Sequence, residues 1–204
     1  MPTDTQSTSR VRAADELKQV ALEQFAAIGF AASSLQQIAD QAGYSKSSVL
    51  YHYASKEALL EAAITPAIVE FEAVLDEFLA GRDTGRRRVL VDRVVDLLLA
   101  HREAVHVFLI QGQSLAELPI VARANDAVRR LAATICDERE SVADQVRFGI
   151  GLGGAAFLLT AGRAFADERQ PQPDDAELRI VLHQVLGDLL APAASDLDST
   201  PVTD

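Results

Sequence analysis

The chain has 204 residues, 49% of them apolar and 5% aromatic, with no tryptophan and a formal net charge of −11. The single Cys136 excludes an internal disulfide framework and fits a reducing cytoplasm. The start, MPTDTQSTSR, is too polar for a signal segment, and no run of about eighteen apolar residues offers a membrane span, so we expect a cytoplasmic protein without a membrane partner.

Alanine and leucine are abundant while glycine and proline are few, which favours helices throughout. The expected fold class is all-α. Residues 1–9 are small, polar and without periodicity, and read as a disordered tail. Arg10 and Arg12 precede a first helix from about Ala13 to Ile28; they suit an arm reaching a phosphate, or equally a solvated tail. Leu17, Val20, Ala21, Gln24 and Ile28 recur at helical spacing with Phe25 beside them, and Gly29 ends the run.

Ser34 can cap a second helix carrying Leu35, Ile38, Ala39 and Ala42 on one face, and Gln37 completes an S-x-x-Q capping box. Gly43 takes the left-handed conformation that ends a helix at least cost. Ser45 caps a short third helix, Lys46 to His52, and Ser55 a fourth. Two helices across a tight glycine turn make a helix-turn-helix, whose second helix enters the major groove of DNA. Val49 and Tyr53 lie within about 40° of each other and face inward. Ser47, Ser48 and Tyr51 then face outward, flanked by Lys46 and His52. Hydroxyls, one aromatic, one cation and one imidazole suit phosphates and base edges; an ordinary polar surface helix is the alternative.

Residues 12–62 resemble the DNA-binding domain of the tetracycline-repressor (TetR) family of transcriptional regulators. The matching features are Phe25-Ala-Ala-Ile-Gly29-Phe30, Ser33-Ser34, Ile38-Ala39, Ala42-Gly43, Ser45-Lys46 and Ser55-Lys56-Glu57-Ala58-Leu59. Ser47 stands where glycine is common, Leu50 where tyrosine is usual, Tyr53 for phenylalanine and Ala54 for proline. The usual tyrosine touches the DNA backbone, a duty Tyr51 could share.

The acidic balance opposes DNA binding at first sight, but it is unevenly spread. Residues 1–60 hold five basic and six acidic groups, a net of −1, and the remaining −10 belongs to the rest of the chain. A near-neutral reading head on an acidic body should bind with a shallow salt dependence.

The fourth helix runs from Ser55 to about Ala80, and Pro66 should kink or split it, as a hinge or as a bend without a role. Gly81 to Gly85 is a turn. Arg86-Arg87-Arg88 fan around a helix start and form no single face. Val89–Ala100 and Ala104–Gln111 read as core helices, and Pro119 opens another through about Cys136. Residues 142–166 are apolar nearly all round. Gly149, Gly151, Gly153 and Gly154 lack the strand and spacing of a dinucleotide fingerprint; small residues at 149, 153 and 156 instead admit a neighbouring helix. Leu178, Val181, Leu182, Val185, Leu186 and Leu189 stripe a last helix over 174–191. Such a pair would leave apolar surface exposed on a monomer, so a two-fold homodimer through them is expected. The family resemblance implies the same dimer, as a four-helix bundle.

The domains expected are a helix-turn-helix domain at 10–54, a larger helical ligand-binding and dimerisation domain at 55–191, and a disordered tail at 192–204. DNA contacts are assigned to Ser34, Ser45, Lys46, Ser47, Ser48, Tyr51, His52 and Lys56, with Ser34 and Lys56 as phosphate anchors at helix N-termini. The resemblance implies a double-stranded operator, a repressor more often than an activator, and a small-molecule pocket among the middle helices. Phe108, Gln111 and Phe157 are candidates to line that pocket around a small, mostly apolar effector; each could instead be plain core. His52, His101, His106 and His183 have no partner at zinc-ligand spacing, so no metal, cofactor or catalytic residue is assigned. A helical ligand-binding or interaction protein of the same fold that no longer binds DNA, and a helical enzyme, are the other classes the sequence allows.

Overall fold

Three serines fix where the N-terminal helices begin. Ser34, Ser45 and Ser55 each hold an extended backbone, and each side chain accepts the N–H three residues on, from Gln37, Ser48 and Ala58. Gly43, at φ +75°, closes the second helix by donating its N–H back to the last turn. These local signals give α2 (Leu35–Ala42) and α3 (Lys46–His52), set against α1 (Asp4–Ile28) and the start of α4 (Lys56–Ala80). The computed structural model describes residues 4–81, 86–135, 141–161 and 174–190, and no strand occurs among them. The body continues as α5 (Arg86–Ala100), α6 (Arg102–Gln111), α7 (Pro119–Ile135), α8 (Val142–Ala161) and α9 (Asp175–Leu189). Cys136, the end of the expected 142–166 helix and the tail from 192 lie outside the described residues.

Two expectations change here. Helix α1 starts at Asp4, so residues 4–9, expected as a disordered tail, are helical. Extending a helix costs far less than nucleating one, and an Arg12–Glu16 pair one turn apart supports that end of α1. Pro66 does not split α4, which runs unbroken. Its neighbours Ala63, Ile64, Ala67 and Ile68 are all buried, and that packing outweighs the one missing backbone bond.

The packing forms two cores, the first of which spans elements on both sides of residue 55. The first joins Leu17, Ala21 and Phe25 of α1 with Ile38, Val49, Leu59 and Leu60, and continues into Val107, Ile120 and Val121 of the body. The second joins Val74 and Phe78 of α4 to α5, α8 and α9 through Leu90, Val94, Phe148, Leu159 and Leu186. Helix α4 belongs to both. Helix α7 packs chiefly on α4, where Arg123 grips Glu72 through two hydrogen bonds of 2.8 and 2.5 Å and Arg130 meets Asp76 at 2.6 Å. On the other side Arg179–Asp96 and His183–Asp92 hold α9 on α5.

By length and composition, Val142–Thr160 of α8 is long and apolar enough to cross a membrane, although no such span is expected from the sequence. The helix nevertheless carries the Asp144–Arg147 pair and packs on α5, α6 and α9. Gly151 is what lets α9 come close: a Cβ there would sit 3.2 Å from Leu186 and Leu189.

Candidate nucleic-acid interface and effector cavity

Helix α3 is anchored by one residue and presented by the rest. Val49 is fully buried, and Tyr53 behind it donates its hydroxyl to the Ala14 carbonyl at 3.0 Å. Burial raises the Tyr53 hydroxyl above its ordinary pKa, so it stays a neutral donor. On the other side Tyr51 is 70% exposed, its ring edge-on to His52 with centroids 5.3 Å apart. Lys46 and Ser47 are exposed, while Ser48 and His52 are half-buried. Ser45 Oγ lies 2.8 Å from Ser47 Oγ and 2.9 Å from Ser48 Oγ, a hydroxyl cluster at the helix start. The outward set expected from the sequence therefore shares one surface, with Leu50, 44% exposed, at its edge.

Of the two expected anchors, Ser34 caps α2 as expected and Lys56 is held within the head. Ser34 accepts from Gln37 N at 3.2 Å, but its hydroxyl donates to Gln37 Oε1 at 2.8 Å, so the side chain of Gln37 does not return to the backbone as the full capping box requires. Lys56 is not a free phosphate anchor. Its Nζ donates to the carbonyls of Phe30 at 2.6 Å and Ser33 at 2.8 Å, and sits 4.3 Å above the Phe30 ring. A cation held by two carbonyls and an aromatic face is a clamp between the α1–α2 turn and α4.

The α1–α2 turn is tied from the body as well. Gln111 was expected in the pocket; instead its Oε1 accepts Phe30 N–H at 2.6 Å and its Nε2 donates to the Phe25 carbonyl at 2.7 Å. Both amide ends are turned to the α1–α2 turn, and Gln111 is not among the residues that line the cavity between the two cores. Nothing local marks such a role, because the partners lie more than eighty positions away in the chain.

A third tie orients the helix-turn-helix on α1. Tyr44 donates its hydroxyl to Glu16 Oε2 at 2.6 Å, and Arg12 Nε donates to Oε1 at 3.0 Å. The Tyr44 bond first, then the Arg12 bond, hold the Glu16 carboxyl below its ordinary value; the same bond to Glu16 raises Tyr44. A depressed carboxylate stabilises the fold above the ordinary range near about 4.3, and that contribution fades as pH falls through the lowered value. Thermal melting of the wild-type chain should therefore drop as pH is lowered below about 5, and Glu16→Gln should flatten this dependence. Parallel melting curves for the two proteins across pH 3–6 would remove Glu16 from the account.

Between the two cores lies a cavity of about 230 Å³. Its walls come from α4 (Ile64, Ile68, Phe71), α5 (Val94, Leu97, Leu98), α6 (Val105, Phe108, Leu109), α7 (Ala124, Val128, Leu131) and α8 (Leu152, Ala156). Every lining residue is apolar. Phe108 is among them. Phe157 is not: it stands 50% exposed on α8, since its position faces away from the cavity that Ala156 borders. Among the described residues no group of three His, Cys, Asp or Glu side chains is placed to hold a metal ion.

A short capped helix presented outward from a three-helix head, carried on a larger helical body, defines the helix-turn-helix class of regulators. Residues 18–63 match the sequence profile of the bacterial regulatory proteins of the tetR family. Among solved structures, a TetR-family member from Streptomyces coelicolor A3 superposes with a TM-score of 0.66 at 24% identity, over 86% of this chain and 89% of that one. The ketosteroid transcriptional regulator KstR2 of Mycobacterium tuberculosis gives 0.64 at 19% identity, over 87% and 92%. A regulator from Bordetella parapertussis 12822 gives 0.64 at 19% identity, over 86% and 94%. No curated protein matches. Residues 18–63 thus carry a tetR-family DNA-binding domain, and the chain as a whole shares the all-α fold of these solved structures.

Proposed function

We propose that this protein is a homodimeric, effector-responsive transcriptional repressor of the cytoplasm, reading a palindromic operator through α3. The observation that carries the reading is the split of α3 into a buried Val49 and an outward surface of Lys46, Ser47, Tyr51 and the Ser45–Ser48 hydroxyls. Two such helices in a dimer would enter successive major grooves about one turn (~34 Å) apart. Ser45 to Ser48 suit phosphates, Tyr51 and His52 base edges. Selection from a random duplex library at two salt concentrations tests this: a palindromic motif is expected, and no enrichment at low salt from stripped, refolded dimer rejects it.

The dimer is supported by apolar surface that stays exposed among the described residues. Val142, Val146, Ile150 and Phe157 on α8 are 50–75% exposed, as are Ile180 (60%) and Val185 (54%) on α9. Open space beside Gly149, Gly153 and Gly154 leaves room for a close helix. Ile150→Asp would bury an unpaired charge twice in a two-fold interface, at about 3–5 kcal/mol each. Sedimentation at micromolar concentration should then find monomer; an unchanged dimer would move the interface elsewhere.

The cavity supports an effector that is neutral and apolar, because no wall group could satisfy a buried charge or hydrogen-bonding group. Comparison with a 150 Å³ cavity that holds benzene sets its buried part at roughly ten carbons. A second reading, a relative that has lost DNA binding, rests on Lys56, whose charge is held inside the head, and on the net charge of −11. The same selection decides between them.

A further inference from the structure

We infer that Gln111 is the positioning residue through which occupancy of the apolar cavity reaches the DNA-reading head. The inference rests on the cavity being the effector site, as proposed above.

The cavity occupies the seam between the two cores. Ile64, Ile68 and Ala124 in its walls belong to the first core, Val94, Leu97 and Leu98 to the second. A ligand there would push apart surfaces that belong to different halves of the molecule. Phe108 sits on that boundary: it lines the cavity and also packs against the first core. Gln111 follows three positions later on α6, about 60° round the helix and one turn along, so the two side chains move with the same short rod.

Gln111 then holds the head by both ends of its amide. Phe30 N–H donates to it at 2.6 Å, and it donates to the Phe25 carbonyl at 2.7 Å. The Phe30 carbonyl is also the 2.6 Å acceptor for Lys56, the first residue of α4 after the recognition helix. A shift of α6 driven at Phe108 is thereby delivered to the turn that sets α2, and through Lys56 to the junction of α3 and α4. A pair of directed hydrogen bonds transmits such a shift more firmly than apolar contact, which slides more easily.

The test needs neither the operator nor the natural effector. Ala156→Phe fills the seam from α8, opposite α6, and Phe108→Trp fills it from α6 itself; Gln111→Leu removes the tie. Amide exchange at Phe30 is read in the full-length protein for each filled variant, with and without Gln111→Leu. Filling should speed exchange at Phe30 about tenfold when Gln111 is present, as expected for one strained hydrogen bond. Gln111→Leu alone should speed it similarly, and filling on top of it should add nothing. Full additivity in both filled variants, or no change at Phe30 from either filling, overturns the inference. Failure of the repressor reading is seen separately, as a selection that yields no operator while the exchange coupling persists.

Discussion

Phe25→Ala is expected to destabilise the protein by about 3–5 kcal/mol, the range for truncating a buried aromatic. The side chain has no solvent exposure, stacks at a tilt on Phe30 with centroids 5.2 Å apart, and lies where α1, α2 and α4 converge in the first core. Its own carbonyl receives Gln111, so the backbone on both sides of the void is held and the space has little freedom to collapse. A poorly collapsing void is the costly kind. Denaturant unfolding followed by circular dichroism measures the loss, and a cost under about 1.5 kcal/mol would mean that the head repacks around the gap. Since the first core continues into α6 and α7, the damage should extend beyond the head.

Tyr51→Ala should do the opposite: leave stability within about 0.5 kcal/mol and remove operator recognition. With 70% of its surface free, Tyr51 contributes little to folding. On DNA, each lost contact of this kind costs about 1–3 kcal/mol. A dimer loses it twice, so affinity should fall on the order of a thousandfold. Fluorescence anisotropy with the selected duplex, beside a melting curve of the same variant, measures both halves of the claim. Unaltered affinity would shift recognition to Lys46, Ser47 and His52; a large loss of stability would mean that Tyr51 is packing rather than reading.

What the sequence made legible was local chemistry. Ser34, Ser45, Ser55 and Gly43 act within three or four residues of themselves, so caps and the left-handed turn could be read directly. The burial of Val49 against the exposure of Tyr51 follows from helical geometry alone. Lys56 and Gln111 were assigned otherwise because what satisfies them is remote: Lys56 bonds back 23 and 26 positions, Gln111 81 and 86. At a helix N-terminus a lysine looks like a phosphate ligand, and among aliphatics a glutamine looks like a pocket anchor. Only the fold reveals which carbonyls are waiting for them. Phe157 failed for a smaller reason: one position separates it from Ala156, and 100° of helix turns the cavity wall into the outer face.

A seam left open between two cores also governs how the molecule comes apart. Where packing is continuous, neighbouring regions unfold as one; where contact is missing, they open with separate free energies. Here the head-side and body-side halves meet around an apolar cavity of about 230 Å³, joined by the covalent rod of α4 and by the packing of α6 on α8. The protein is thus built as two folding units whose contact is interrupted at the cavity. A molecule settling into the seam would supply the missing contacts and fuse them into one cooperative body, so that the same event that alters the heads also hardens the chain against unfolding.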